Sequence, residues 1–151
     1  CKVLLLVRDF RDVIASVLAF NQKRGTREFG HDRVADDLEY VDLMAGFARS
    51  LLAVRATAPA TLTLRYEDLM RAPESTLACV LEALGLESEA PLIARMLAAA
   101  REDTPQMAYH RTVDDPRSQS IGRWRTHLDP AIQARCQSSL RDVLHSFGYD
   151  D

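Results

Sequence analysis

The chemistry available to this chain concentrates near its beginning, in Arg8-Asp9-Phe10-Arg11-Asp12 and in Ser16, eight residues after the first arginine. A guanidinium presents a planar fork of N–H donors that matches two oxygens of a phosphate or sulfate. A serine about two helical turns along adds a neutral donor to the same anion if its face turns toward it. Asp9 and Asp12 fall where a helix would start, where a carboxylate favours the helix dipole and can hold Arg11 in place. The chemistry of this pattern is anion capture. Arg8 and Asp9 taken alone fit equally well a surface ion pair that caps a helix.

Other reactive residue types form weaker patterns. Glu67 and Asp68 are adjacent carboxylates, but neighbours on a strand face opposite ways, so a shared acid/base pair is not expected and capping roles are. His31, His110, His127 and His145 have no metal-ligand spacing, so neither a metal nor a catalytic role is assigned to them. Cys1, Cys79 and Cys136 are far apart and lack a CxxC pair. They read as reduced thiols, with a cytoplasmic location.

The elements that must position Arg8 follow from hydrophobic periodicity. Lys2 to Val7 is a continuous apolar run, the pattern of a parallel strand covered on both faces. Val13, Val17 and Phe20 recur at helical spacing over Asp12 to Phe20, so the unit reads strand, turn, helix. In an open parallel sheet ligands gather beyond the carboxyl ends of the strands, where Arg8 stands. Asn21 to Arg33 reads as a loop, either a plain solvated connector or one whose Lys23, Arg24, Arg27 and Phe29 face a ligand. Leu38, Val41, Ala45, Ala48, Leu52 and Arg55 mark a long helix over Ala35 to Ala56, stopped by Ala58-Pro59. Thr61 to Tyr66 alternates as a second strand. Pro73 opens a helix that Gly85 ends. Glu87 to Ala100 reads as another helix, Glu102 to Ser120 as an extended loop, and Asp129-Pro130 as the start of a closing helix running up to Gly148.

The chain has 151 residues with a formal charge of -3, 47% hydrophobic and 27% charged. One domain with one core is expected, and a general nucleic-acid binder is not, since that role calls for a basic excess or a clustered basic face. The longest apolar run is far short of the roughly 20 residues that a membrane helix needs. Lys2 and Lys23 are the only lysines among 19 basic residues. That arginine bias suits bidentate oxyanion capture, and codon bias accounts for it as well. The first residue is Cys and a strand begins at once, which reads as a truncated or excerpted chain.

Three strings, in order along the chain, carry a family resemblance. Val7 to Ser16 resembles the 3′-phosphate signature of sulfotransferases that use 3′-phosphoadenosine 5′-phosphosulfate (PAPS): a strand, R-D-P-R-D, and a serine eight residues after the first arginine. Phe10 replaces the usual proline. Leu64-Arg65-Tyr66-Glu67-Asp68-Leu69, then Pro73-Glu74 and Leu84-Gly85-Leu86, looks like the family's YEDL strand end, P-E-x-T-L helix start and LGL stop. Gly122-Arg123-Trp124-Arg125 looks like its G-x-W-K/R segment.

The resemblance implies an α/β, P-loop-NTPase-like sulfotransferase fold, with a short parallel sheet, helices on both faces and residues 1–151 forming a single partial domain. It implies that Arg8, Ser16, Tyr66, Arg117, Ser118 and Gln119 bind PAPS or its product adenosine 3′,5′-bisphosphate. Arg117 matches the arginine of the loop that closes over the 3′-phosphate, while Ser118 and Gln119 stand where lysine and glycine are common. The phosphosulfate loop and usual base of the family lie upstream of Arg8, and the chain contains no Gly-rich GxxxxGK[ST] string. Two readings follow. The chain is part of an enzyme that transfers a sulfuryl group to a small-molecule, glycan or peptide acceptor, or it is a non-catalytic nucleotide-binding or interaction module. An exposed sheet edge predicts self-association.

Overall fold

A computed structural model describes residues 2–58, 61–102 and 104–149. Two strands, β1 (Val3–Val7) and β2 (Thr61–Arg65), are separated by α1 (Phe10–Arg24), a single 3₁₀ turn at His31–Arg33, and α2 (Asp37–Thr57). After β2 come α3 (Tyr66–Arg71), α4 (Pro73–Leu84), α5 (Ala90–Ala99), α6 (Pro105–His110), α7 (Pro116–Gln119), α8 (Trp124–His127), α9 (Pro130–Ser139) and α10 (Arg141–Ser146). The chain is thus mixed α/β and mostly helical. It divides into two compact units, one of Cys1–Arg8 and Ala58–Arg111, the other of Asp9–Thr57 and Thr112–Asp151.

In the first unit β1 and β2 pair in parallel, Val3 with Thr61 through to Val7 with Arg65. The register sets Leu4 and Leu6 beside Leu62 and Leu64, and partners in a parallel pair share a face. The continuous run of β1 predicts cover on both sides. Instead Leu4 and Leu6 are 42% and 55% exposed, because nothing among the described residues buries that face, whereas Val7 on the opposite face is buried. Tyr66 does not end the second strand but starts α3. Pro73 opens α4 as its composition predicts, and Gly85 closes it in the left-handed conformation at φ 75°. The Lys2 ammonium donates to the carbonyl of Ala83 at 2.7 Å, a cation at the end of the helix dipole. α5 starts at Ala90 rather than Glu87, with Pro91 in its first turn. The stretch from Glu102 to Ser120, expected to be extended, contains α6 in this unit and α7 in the other.

In the second unit α1 begins two residues before the expected Asp12, because Asp9 acts as its N-cap and accepts from the Arg11 amide at 2.9 Å. It runs past Phe20 to Arg24 and stops at Gly25 (φ 67°), taking the first part of the anticipated loop. α2 buries Tyr40, Val41, Ala45 and Ala48 against α1, α9 and α10. The closing helix is broken at Leu140, which is fully buried between α9 and α10. Just before the break Ser138 donates to the Arg135 carbonyl and Ser139 to the Asp42 carboxylate.

Candidate functional site

In the first unit, the parallel register that pairs Val7 with Arg65 delivers Arg8 and Tyr66 to the carboxyl ends of their strands. The Arg8 guanidinium carbon lies 4.7 Å from the centre of the Tyr66 ring. Stacking engages the face of the guanidinium and leaves its N–H fork to bond in plane. Tyr66 thus packs its ring against Arg8. Glu67 is buried, 4.0 Å from the Arg65 guanidinium. The Asp68 carbonyl accepts from the Ala72 amide and the Thr76 hydroxyl.

The second unit is organised around two aspartates of α1. Asp9 takes the Arg11 guanidinium in a bidentate pair, Nε at 3.0 Å and Nη2 at 2.9 Å, and Arg11 also donates to the Tyr149 carbonyl at 3.1 Å. Asp12 is 1% exposed, and its two carboxylate oxygens accept from the backbone amides of Gly122 (2.7 Å) and Trp124 (3.0 Å). This carboxylate latches the Gly-Arg-Trp segment to α1. The Trp124 indole is buried between the guanidinium groups of Arg11 and Arg125, at 4.2 and 4.4 Å.

The residue between the two latched amides is Arg123. It is buried, and its Nη1 donates to the Thr112 hydroxyl at 2.9 Å. Thr112 Oγ1 lies 3.4 Å from Ser16 Oγ. Ser16 follows Asp12 by four residues on α1, so one helix face holds both the latch and the serine. The sequence assigns no ligand role to Arg123 or Thr112; its available signal was the position of Arg123 inside the Gly122-Arg123-Trp124-Arg125 string.

The loop expected to close over a phosphate is bonded within itself. Ser118 donates to the Asp115 carboxylate at 2.6 Å, and the Gln119 side-chain oxygen accepts from the amides of Asp114 (3.1 Å) and Asp115 (3.4 Å). The Arg117 side chain lies outside the described residues.

A hollow of about 620 Å³ in the second unit is lined in part by Leu18, Gln22, Arg27, His31 and His127. His31 there sits between Asn21 and Asp37 in an arrangement that invites comparison with a catalytic dyad. Asn21 accepts the Glu28 amide through its oxygen at 2.9 Å, so its NH₂ faces His31 Nδ1 at 3.2 Å. Nδ1 must then accept, and Nε2–H donates to Asp37 at 2.8 Å. With both ring nitrogens engaged, His31 ties the segment after α1 to the start of α2. Among the described residues no group of His, Cys, Asp and Glu could hold a metal ion, and no helix is long and apolar enough to cross a membrane. Burial pushes two core groups, the Tyr40 hydroxyl and the Cys136 thiol, each up to about 12.

The chain is thus a mixed α/β protein whose first unit carries an arginine at the end of a parallel strand pair and whose second unit sets an arginine beside two hydroxyls. Comparison with known families places it further: a family model described as the sulfotransferase family matches residues 1–90, more than half of the 151, and the chain belongs to that family. The matched stretch contains Arg8, Ser16 and Tyr66 and ends before Thr112, Arg117 and Gly122. No curated protein and no solved structure matches the chain.

Proposed function

We propose that this protein is a PAPS-dependent sulfotransferase, acting on a hydroxyl or amine of a small-molecule, glycan or peptide acceptor, and that the described residues supply its adenosine 3′,5′-bisphosphate chemistry. The observation that carries the reading is the family match over residues 1–90, with Arg8 and Ser16 inside it at the spacing of the 3′-phosphate signature. When bound, the nucleotide supplies a sulfuryl group already activated by its phosphate leaving group. Arg8 and Ser16 are each candidate ligands of the 3′-phosphate, Arg8 oriented by Tyr66. Arg117, Ser118 and Gln119 are loop candidates, the last two through groups not committed to Asp115 and Asp114. A P-loop-like arrangement, a cytoplasmic location, and self-association through the exposed sheet edge belong to the same reading.

Calorimetric titration of adenosine 3′,5′-bisphosphate into the protein and its Arg8→Ala variant, at one fixed salt, tests it. Loss of one charge-assisted fork costs about 1.5–3 kcal/mol, so affinity is expected to fall roughly ten- to 150-fold. Equal affinity in both proteins would overturn the role of Arg8. No binding by the parent protein would overturn the nucleotide reading.

A further inference from the structure

We infer that Arg123, with Thr112 and Ser16, forms an oxyanion subsite in the second unit, and that Arg123 supplies there the basic group that the loop at Ser118 lacks. The inference rests on the nucleotide reading above and adds to it two residues outside the family match.

The argument starts from hydrogen counting. An arginine only donates, so the 2.9 Å contact from Arg123 Nη1 fixes Thr112 Oγ1 as an acceptor. Ser16 and Thr112 own one hydroxyl hydrogen each, and the 3.4 Å contact between them uses one. Whichever oxygen donates, one hydroxyl hydrogen is left to point at a further acceptor. Both hydroxyl residues are half-buried, so an incoming oxyanion reaches them. The acceptor is therefore met by an O–H polarised by a neighbouring guanidinium, and such charge-linked donors are stronger than isolated hydroxyls.

The placement of Arg123 is built rather than incidental. Its two neighbours are pinned through their amides by one carboxylate, Asp12, at 2.7 and 3.0 Å. Asp12 and Ser16 are one turn apart on α1, so pinning Gly122 and Trp124 sets the intervening side chain beside the serine's turn. Arg123 itself is 6% exposed, and a long charged side chain is rarely so buried unless its surroundings hold it. Meanwhile Ser118, where the family commonly has lysine, donates to Asp115 at 2.6 Å. A hydroxyl hydrogen beside a guanidinium suits the doubly charged oxygens of a terminal phosphate better than the single charge of a bridging phosphodiester, which makes a terminal phosphate the ligand class.

The test compares adenosine 3′,5′-bisphosphate with adenosine 5′-monophosphate, which lacks the 3′-phosphate, in the parent protein and in Arg123→Gln, Arg123→Lys and Thr112→Val, with circular dichroism confirming the fold of each. If the inference holds, Arg123→Gln weakens the bisphosphate at least tenfold and leaves the monophosphate unchanged. Arg123→Lys then recovers part of the loss, and Thr112→Val shows a smaller loss of the same selectivity. Variants that keep the parent's preference for the bisphosphate, or that lose both nucleotides equally, overturn the subsite while the nucleotide reading stands. A parent protein that does not distinguish the two nucleotides overturns that reading, and the subsite with it.

Discussion

Replacing Asp12 by Asn removes the charge of a carboxylate that is 1% exposed while keeping its size. In the parent both carboxylate oxygens accept, from Gly122 N at 2.7 Å and Trp124 N at 3.0 Å. An asparagine offers one oxygen and turns an NH₂ toward the second amide, so one bond becomes neutral and the other becomes two donors face to face. Hydrogen bonds to a charged group contribute about 1.5–3 kcal/mol each, so the variant is expected to lose ~3 kcal/mol. For a chain of this size that corresponds to a fall of roughly 6–12 °C in Tm. Trp124 is the only tryptophan, so its emission during urea unfolding reports the unit that contains the latch. Amide exchange gives the local reading: Gly122 and Trp124 should be protected in the parent and exchange on the order of 100-fold faster in Asp12→Asn. A stability change below ~0.5 kcal/mol, with both amides already exchanging as fast as exposed loop amides in the parent, would refute the latch.

Three further outcomes follow from named contacts. Tyr66→Phe should leave affinity for adenosine 3′,5′-bisphosphate nearly unchanged and Tyr66→Ala should weaken it about three- to tenfold, the range of an exposed to partly buried cation–π contact; equal losses in both would show that the hydroxyl, not the ring, matters. Thiol labelling followed by peptide mapping should modify exposed Cys79 quickly and buried Cys136 only on unfolding, since burial pushes the Cys136 thiol up to about 12 and keeps it from forming thiolate. Tyr40 and Cys136 hold their protons more tightly folded than unfolded, about 12 against 10.0 and 9.0, so the folded state binds more protons in that window and stability should fall as pH rises from about 9 to 12; denaturant titrations across that range, with Cys136→Ala showing a shallower decline, check the sign.

What the sequence made legible was local and periodic. The β1–α1 unit, the stripe of Val41, Ala45 and Ala48 on α2, Pro73 and Gly85 bounding α4, and Asp129 capping α9 all follow from short-range rules, and the structure has each of them. Boundaries failed where a side chain chose between competing partners. Asp9 was read as a first-turn residue but caps the helix, which moved its start. The apolar stripe running up to Gly148 carries no mark of the break at Leu140, since Cys136, Leu140, Val143 and Leu144 are buried on both sides of it. β1 looked covered on both faces because composition does not say how many layers a strand will meet. Of the candidate residues, Arg8 and Ser16 stood out by type and spacing and Tyr66 by the family resemblance. Arg123 and Thr112 did not, because their pairing depends on a contact between residues 110 and 112 apart, Asp12 with Gly122 and Trp124.

That long-range contact also explains why two strings so far apart in the chain belong together. The last aspartate of Arg-Asp-Phe-Arg-Asp has two oxygens, and Gly-Arg-Trp offers two amides that face the same way only if the glycine takes φ 72°. A side chain at position 122 would strain that turn, since its Cβ falls in the left-handed region and 3.1 Å from the Arg125 guanidinium. The tryptophan then fills the space under Arg11, which Asp9 holds in place. Three residues of the first string therefore have work apart from any ligand: Asp9 and Arg11 steady the indole, and Asp12 fixes the glycine turn. Arg8, in the first unit, stands at the end of β1 on the face of Tyr66. Within the second unit the geometry thus separates roles that the motif alone merges. Asp12 is a positioning residue for Arg123 and Ser16, so its replacement should weaken binding of the bisphosphate through the loosened Arg123 without altering any group that meets the anion.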